Sequence, residues 1–326
     1  MIDPPEDSEA VRVQIAEITT VIMRKTFFDC MRSYIDNLVN ICKALCMDPY
    51  GEVIIEGTRA IAALSRAGGD QLIHFCEPMG RALFTAFVHK HAKVRMAGLR
   101  ALFDVLCTGI WKNSVFVFEA MIGFRDPNLV AIKEFYDPST KVNYFAMFVV
   151  DRSIATRKCF YQTIAKCLID LPDKIDHEGR LFPYLISGLF DENTEICNMC
   201  YELIEEIGLR HEEYPENEVK LRELKQFGFK SEWTYAGLIT DDKVTLPAPI
   251  VSRPRLGSRI LVRSYVRRYL KALYKELADW IEISQERAVK LLMYSICYVE
   301  EFMTQYMDHL LVAIYKAIQN KENKIV

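Results

Sequence analysis

An aspartate followed five residues later by a β-branched residue recurs along this chain, each time at the mouth of an amphipathic segment. The clearest copies are Asp48–Val53, in DPYGEVIIEGTRAIAAL (48–64), and Asp191–Ile196, in DENTEICNMCYELIEEIG (191–208). Counting from Val53, small or apolar residues stand at +4, +7, +8 and +11, namely Gly57, Ala60, Ile61 and Leu64. Cys200, Leu203, Ile204 and Ile207 repeat the pattern from Ile196. Gly98, Ala101, Leu102 and Val105 repeat it from Val94, where His89 replaces the aspartate. That rhythm lays a single stripe along a helix. Weaker copies open at Val11, Thr156 and Ser284, the last two with Asp151 and Asp279. Val11 to Val53 is 42 residues, Val53 to Val94 is 41, and Thr156 to Ile196 is 40. A period near 40 built from helix pairs is that of HEAT or armadillo repeats. It predicts an all-α, HEAT-type α-solenoid, a right-handed superhelix of antiparallel helix pairs. Such stacks present long surfaces to other proteins.

In each pair the first helix ends near the aspartate and the second starts near the β-branched residue. The aspartate is expected to cap the second helix and to meet its positive end. HEAT repeats are expected over 1–208. The first, DPPEDSEAVRVQIAEI (3–18), reads as a turn and second helix without its partner, with Val11, Ile15, Ile18 and Ile22 inward. Val94 to Thr156 is 62 residues, so an inserted loop is expected at about 125–140, where Asp126-Pro127 and Asp137-Pro138 stand. Residues 209–252 read as an acidic, Pro-rich insertion leaving the stack. Repeats resume over 253–326, the last one partial, with Leu310, Leu311, Ile314 and Ile318 as an unpaired apolar face.

Composition bounds the function. The chain is 51% hydrophobic and 26% charged, which excludes wholesale disorder. A net charge of −3 gives no reason to expect nucleic acid. No apolar run approaches the roughly 20 residues of a membrane span. The opening MIDPPEDSEA lacks the basic and apolar regions of a secretory signal. The cysteines lie on apolar helix faces, as Cys42, Cys107 and Cys167 do, and read as buried free thiols of a reducing, cytoplasmic setting.

Motifs for chemistry are few. No phosphate loop or dinucleotide fingerprint occurs. Cys197-Asn198-Met199-Cys200 stands alone within a helix, with no further ligands at zinc spacing. His211-Glu212-Glu213 is followed by Tyr214-Pro215, which breaks the helix a metal site would need. His89 and His91 flank a turn. Trp111, Trp233 and Trp280 could anchor a partner, with Trp280 beside Asp279 read as a packing residue. No catalytic, cofactor or metal residues are assigned, and no enzyme is expected.

One charge pattern stands out. Arg255, Arg259, Arg263, Arg267, Lys271 and Lys275 recur every four residues, and no acidic residue occurs from 253 to 275. Upstream, 202–223 holds eight glutamates. The basic run reads as a solvated face, a clasp on that acidic stretch, or a dock for an acidic partner.

RPRLGSRILV (253–262), LADW (277–280), Leu291-Leu292, and Glu300 with Thr304-Gln305 follow the acidic insertion in one order and spacing. This C-terminal third resembles the dynein axonemal assembly factor 5 family. The turn and helix pattern of 151–208 is compatible with the same family. One departure is Gln285, where the family tends to place arginine, with Arg287 two residues on. The resemblance implies a cytoplasmic scaffold or co-chaperone-like factor for preassembly of outer and inner dynein arms of motile cilia. Its implied partners are dynein heavy and intermediate chains and other assembly factors or chaperones. The alternatives are a generic HEAT adaptor, of phosphatase-scaffold or transport-receptor type, and an enzyme built on a helical frame.

Overall fold

The structure is a computed structural model describing residues 6–109, 113–122, 143–213, 246–277 and 282–319. No strand occurs among them. Within these limits the chain forms two compact units that divide between His177 and Glu178.

The first unit is a stack of second helices: α1 (Glu9–Lys25), α4 (Gly51–Gly68), α7 (Ala92–Thr108) and α10 (Ile154–Asp170), each packed on the next. First helices cover them. α2 (Phe28–Met31) leads by a 3-10 turn into α3 (Ile35–Cys46), which lies on α4. α5 (Cys76–Ala82) and α6 (Phe84–Phe87) lie on α7, while α8 (Asn113–Ile122) meets α5 and α9 (Tyr144–Val149). The segment before α7 is not one continuous helix but a 3-10 turn (Gly69–Phe75) followed by α5 and α6.

The repeat stripe is the core. Val53, Gly57, Ala60, Ile61 and Leu64 are buried along α4, as are Val94, Gly98, Ala101, Leu102 and Val105 along α7. Gly57 is required by close approach, since a Cβ there would stand 2.8 Å from Leu45 Cβ on α3. Across the break in period, rings make the core: Phe87 meets Phe148 at 5.3 Å, and Phe145 meets Phe160 at 5.3 Å. α1 departs from expectation. Its buried residues are Ala16, Thr20 and Met23, whereas Val11, Ile18 and Ile22 are exposed. The small Ala16 and Thr20 let α1 approach α4, and Thr20 Oγ1 donates to Glu56 O at 3.3 Å.

The second unit takes in most of α11 (Lys174–Ser187), then α12 (Thr194–Glu212), α13 (Leu256–Leu277), α14 (Glu282–Val299) and α15 (Met307–Gln319). α12 packs on α13, and α13 on α14 and α15. A Cβ on Gly257 would overlap the Gly208 carbonyl, so this crossing demands glycine. Ile196, Cys200, Ile204 and Ile207 are buried, and Leu203 is half-buried. On α15, Leu310 is buried while Leu311 and Ile318 are exposed. The expected loop at 125–140, residues 214–245 of the 209–252 insertion, and Trp111, Trp233, Asp279 and Trp280 lie outside the described residues. The insertion starts later than expected, since 209–212 continue α12, and Ile250 near its end is buried.

Candidate functional site

The recurring aspartates do not cap helices as expected. They tie turns. Asp48 Oδ1 accepts from Tyr50 N at 2.8 Å, Asp151 Oδ1 from Ser153 N at 2.8 Å, and Asp191 Oδ1 from Asn193 N at 2.9 Å. The capping side chains are Ser153 and Asn193, two residues further on. The aspartate faces the arginine that follows a β-branched position of the preceding copy. Arg12 donates to Asp48 at 2.9 Å, and Arg95 reaches both oxygens of Asp151 at 2.7 Å. Arg95 also donates to the His89 and Lys90 carbonyls of its own turn. One guanidinium thus joins two copies, and its planar donors suit that fork.

One junction is built otherwise. Ile54 holds the arginine position after Val53 and is buried with Ala86 and Val94. His89 replaces the aspartate, and its Nδ1 accepts from His91 N at 3.2 Å, keeping the turn. Burial, with the charges of His91 and Lys90, holds the His89 pKa below its ordinary value. The two exchanges match: without arginine there is no charge for an aspartate to pair. At Ser284 the departure noted in the sequence is local. Gln285 is buried, and its Nε2 donates to Leu277 O at 2.7 Å, which keeps a turn contact without a charge.

The basic run that leads into and along α13 divides. Arg255 lies at the end of α12: its N donates to Glu205 at 2.9 Å and its side chain to Glu212 at 3.0 Å. Glu212 also accepts from Gly257 N at 2.9 Å. Two glutamates of the acidic stretch thereby meet the positive end of α13. Arg259 is 2% exposed, so it enters the core and is no part of a solvated face. It donates to Pro254 O at 3.0 Å and to Glu300 at 2.9 Å. Arg263 reaches Glu300 at 2.8 Å, and Arg253 grips both its oxygens at 2.7 Å. Burial raises the Glu300 pKa, but the Arg253 hydrogen bonds and the Arg259 and Arg253 charges outweigh it, leaving the carboxyl below its usual range. Glu300 has φ +56°, a left-handed conformation that costs a non-glycine residue about 1–2 kcal/mol. The three guanidiniums hold it there. Arg267, Lys271 and Lys275 face solvent. Arg253, Arg259 and Glu300, which carry part of the resemblance, are therefore one structural cluster.

A serine beside a histidine does occur, with no local sign of it in the sequence. Ser114 Oγ donates to Asp173 at 2.5 Å and lies 3.2 Å from His177 Nε2, which is itself 3.1 Å from the same Asp173 oxygen. The geometry is a closed triangle, not a relay. The hydroxyl donates its hydrogen bond to the carboxylate, so that hydrogen is not directed at the imidazole as general-base activation would need. Ser114 and His177 are fully buried, with Phe118 against the imidazole at 4.4 Å. The cluster lies within the first unit, tying α8 to Asp173 and the first turn of α11, and all three residues are buried.

Among the described residues no group of three or more His, Cys, Asp or Glu is placed to hold a metal ion. No described helix is long and apolar enough to cross a membrane. Cys197 donates to Asp191 O and Cys200 is buried, its thiol pushed up by burial. Burial likewise pushes Cys107 up to about 11, so neither position favours a thiolate.

A family model described as dynein axonemal assembly factor 5-like, TPR repeats, matches residues 2–121 and 139–223. A second, described as the HEAT-repeat domain of dynein axonemal assembly factor 5, matches 245–326. TPR and HEAT are both stacks of helix pairs, with TPR units near 34 residues and HEAT units near 40. Dynein axonemal assembly factor 5 of Mus musculus is 25% identical over 323 residues, covering 99% of this chain and 33% of that protein. The Homo sapiens protein is 24% identical with the same coverage. That of Drosophila melanogaster is 24% identical over 310 residues, covering 93% and 32%. The chain spans about a third of the length of the curated relatives it matches.

Proposed function

This chain belongs to the dynein axonemal assembly factor 5 family, and from that premise we propose that it is a non-enzymatic scaffold for axonemal dynein assembly. It acts in the cytoplasm, on heavy and intermediate chains of outer and inner arms, together with other assembly factors or chaperones. The observation that carries this reading is the family match along both units, on a frame of stacked helix pairs. The closed Ser114–Asp173–His177 triangle supports holding rather than chemistry.

Depletion of the protein from multiciliated cells tests the reading. Cilia are expected to form but to lack outer and inner arms in cross-section. Heavy and intermediate chains should fall in cytoplasmic extracts, because unassembled subunits expose apolar surface and are degraded. Full complements of arms in depleted cells would contradict it.

A further inference from the structure

We infer that a groove across α1, α4 and α7 is a docking site for an acidic, partly apolar polypeptide segment of another protein. The inference goes beyond the proposed function, since it needs neither dynein nor cilia. The groove is about 310 Å³ and is lined from all three helices. Arg24 comes from α1, Arg59 and Arg66 from α4, Lys93 and Arg100 from α7, and all five are exposed. Asp104 is the one acidic residue in the lining. It pairs with Arg66, and Arg59 pairs with Glu56, so local carboxylates already engage two of the five.

The floor makes this more than a solvated face. Ala62, Ala97 and Ala101 stand between the cations, with Ile55 and Met96 beside them. Small residues recess the floor and leave it apolar, while long basic side chains rise around it. An extended or helical segment alternating carboxylates with apolar side chains fits both parts. Single-stranded nucleic acid fits less well. Its binding sites stack bases on aromatic rings, and no aromatic residue lines this groove. The chain's net charge of −3 also means that the groove is a local basic feature of an acidic molecule.

The test uses the full chain and a fluorescein-labelled peptide of alternating Glu and Leu. A length of about ten residues spans roughly 33 Å extended, enough to cross helices spaced about 10 Å apart. Anisotropy at low ionic strength should show saturable binding that weakens with salt. The triple variant R24Q/K93Q/R100Q spares the paired Arg59 and Arg66. It should weaken binding roughly tenfold or more. Its far-UV circular dichroism and melting curve should match the parent chain, and R24E/K93E/R100E should bind more weakly still. The matched α13 variant R267Q/K271Q/K275Q should bind as the parent does. Absence of peptide binding by the parent, or unchanged affinity in both groove variants, would overturn the proposal. So would loss that follows α13 instead, or a labelled oligouridine binding more tightly than the peptide. Groove binding that persists while depleted cells keep their dynein arms would sink the proposed function alone.

Discussion

Arginines on α13 and arginines around the α1–α4–α7 groove are alike in kind and opposite in use. Those on α13 form a visible run in the sequence, yet Arg259 and Arg263 end on Glu300 and Arg255 on Glu212. Those of the groove are scattered from position 24 to position 100 and stay exposed. A run of charge along the chain marks a helix face, and part of that face can be an internal tie, as Arg259 and Arg263 show. A binding surface on stacked helices takes a few residues from each, so it leaves no run to find.

Removing Glu300 should have the largest effect. Glu300→Gln strands the buried Arg259 guanidinium without a counter-charge, a change that typically costs about 3–5 kcal/mol. Chemical denaturation should show it, and a loss below about 1 kcal/mol would place the α13 arginines with the groove residues as solvated charges. The cluster also sets an acid limit. Glu300 has a lowered folded pKa, so its contribution is full above the unfolded carboxyl value. It fades as pH falls through the folded value. Glu300→Gln should remove that part of the acid dependence.

The next effect belongs to the junctions of the first unit. Arg95→Ala leaves Asp151, whose side chain is 9% exposed, without its fork, and should cost about 2–4 kcal/mol. Arg12→Ala cuts a more exposed pair, 19% and 12% open, and should cost less, about 1 kcal/mol. Equal losses at the two sites would break the link between burial and cost.

The smallest effect concerns His89. Its folded pKa is lowered, so the unfolded chain takes up a proton first as pH falls below about 6.5. Stability should decline modestly from there and level off below the folded pKa. His89→Asn retains a turn acceptor and should flatten that slope. A slope unchanged in the variant would assign it to other groups.

The legible part of the fold was local. The stripe from Val53 to Leu64 repeats every turn of one helix and needs no knowledge of its neighbours. The aspartates were found for the same reason, but their role was not. A cap and an Asx turn differ by two residues of register, and the Arg95–Asp151 fork joins positions 56 apart. The place of Arg259 is not legible locally, because its burial depends on Glu300, 41 residues away. The Ser114–Asp173–His177 triangle and the groove are not legible in the sequence on the same ground. Each joins helices whose adjacency no single segment encodes.

The contrast between the two sets of cations is tested most directly by one paired titration. Melting temperature and acidic-peptide affinity are measured on the same preparations of Glu300→Gln and R24Q/K93Q/R100Q. The account predicts a crossed result: Glu300→Gln melts lower and, while folded, binds the peptide as the parent does, whereas the groove variant melts with the parent and loses the peptide. A groove variant that melts low and keeps its affinity, or a Glu300→Gln protein that melts normally and loses it, would contradict the account.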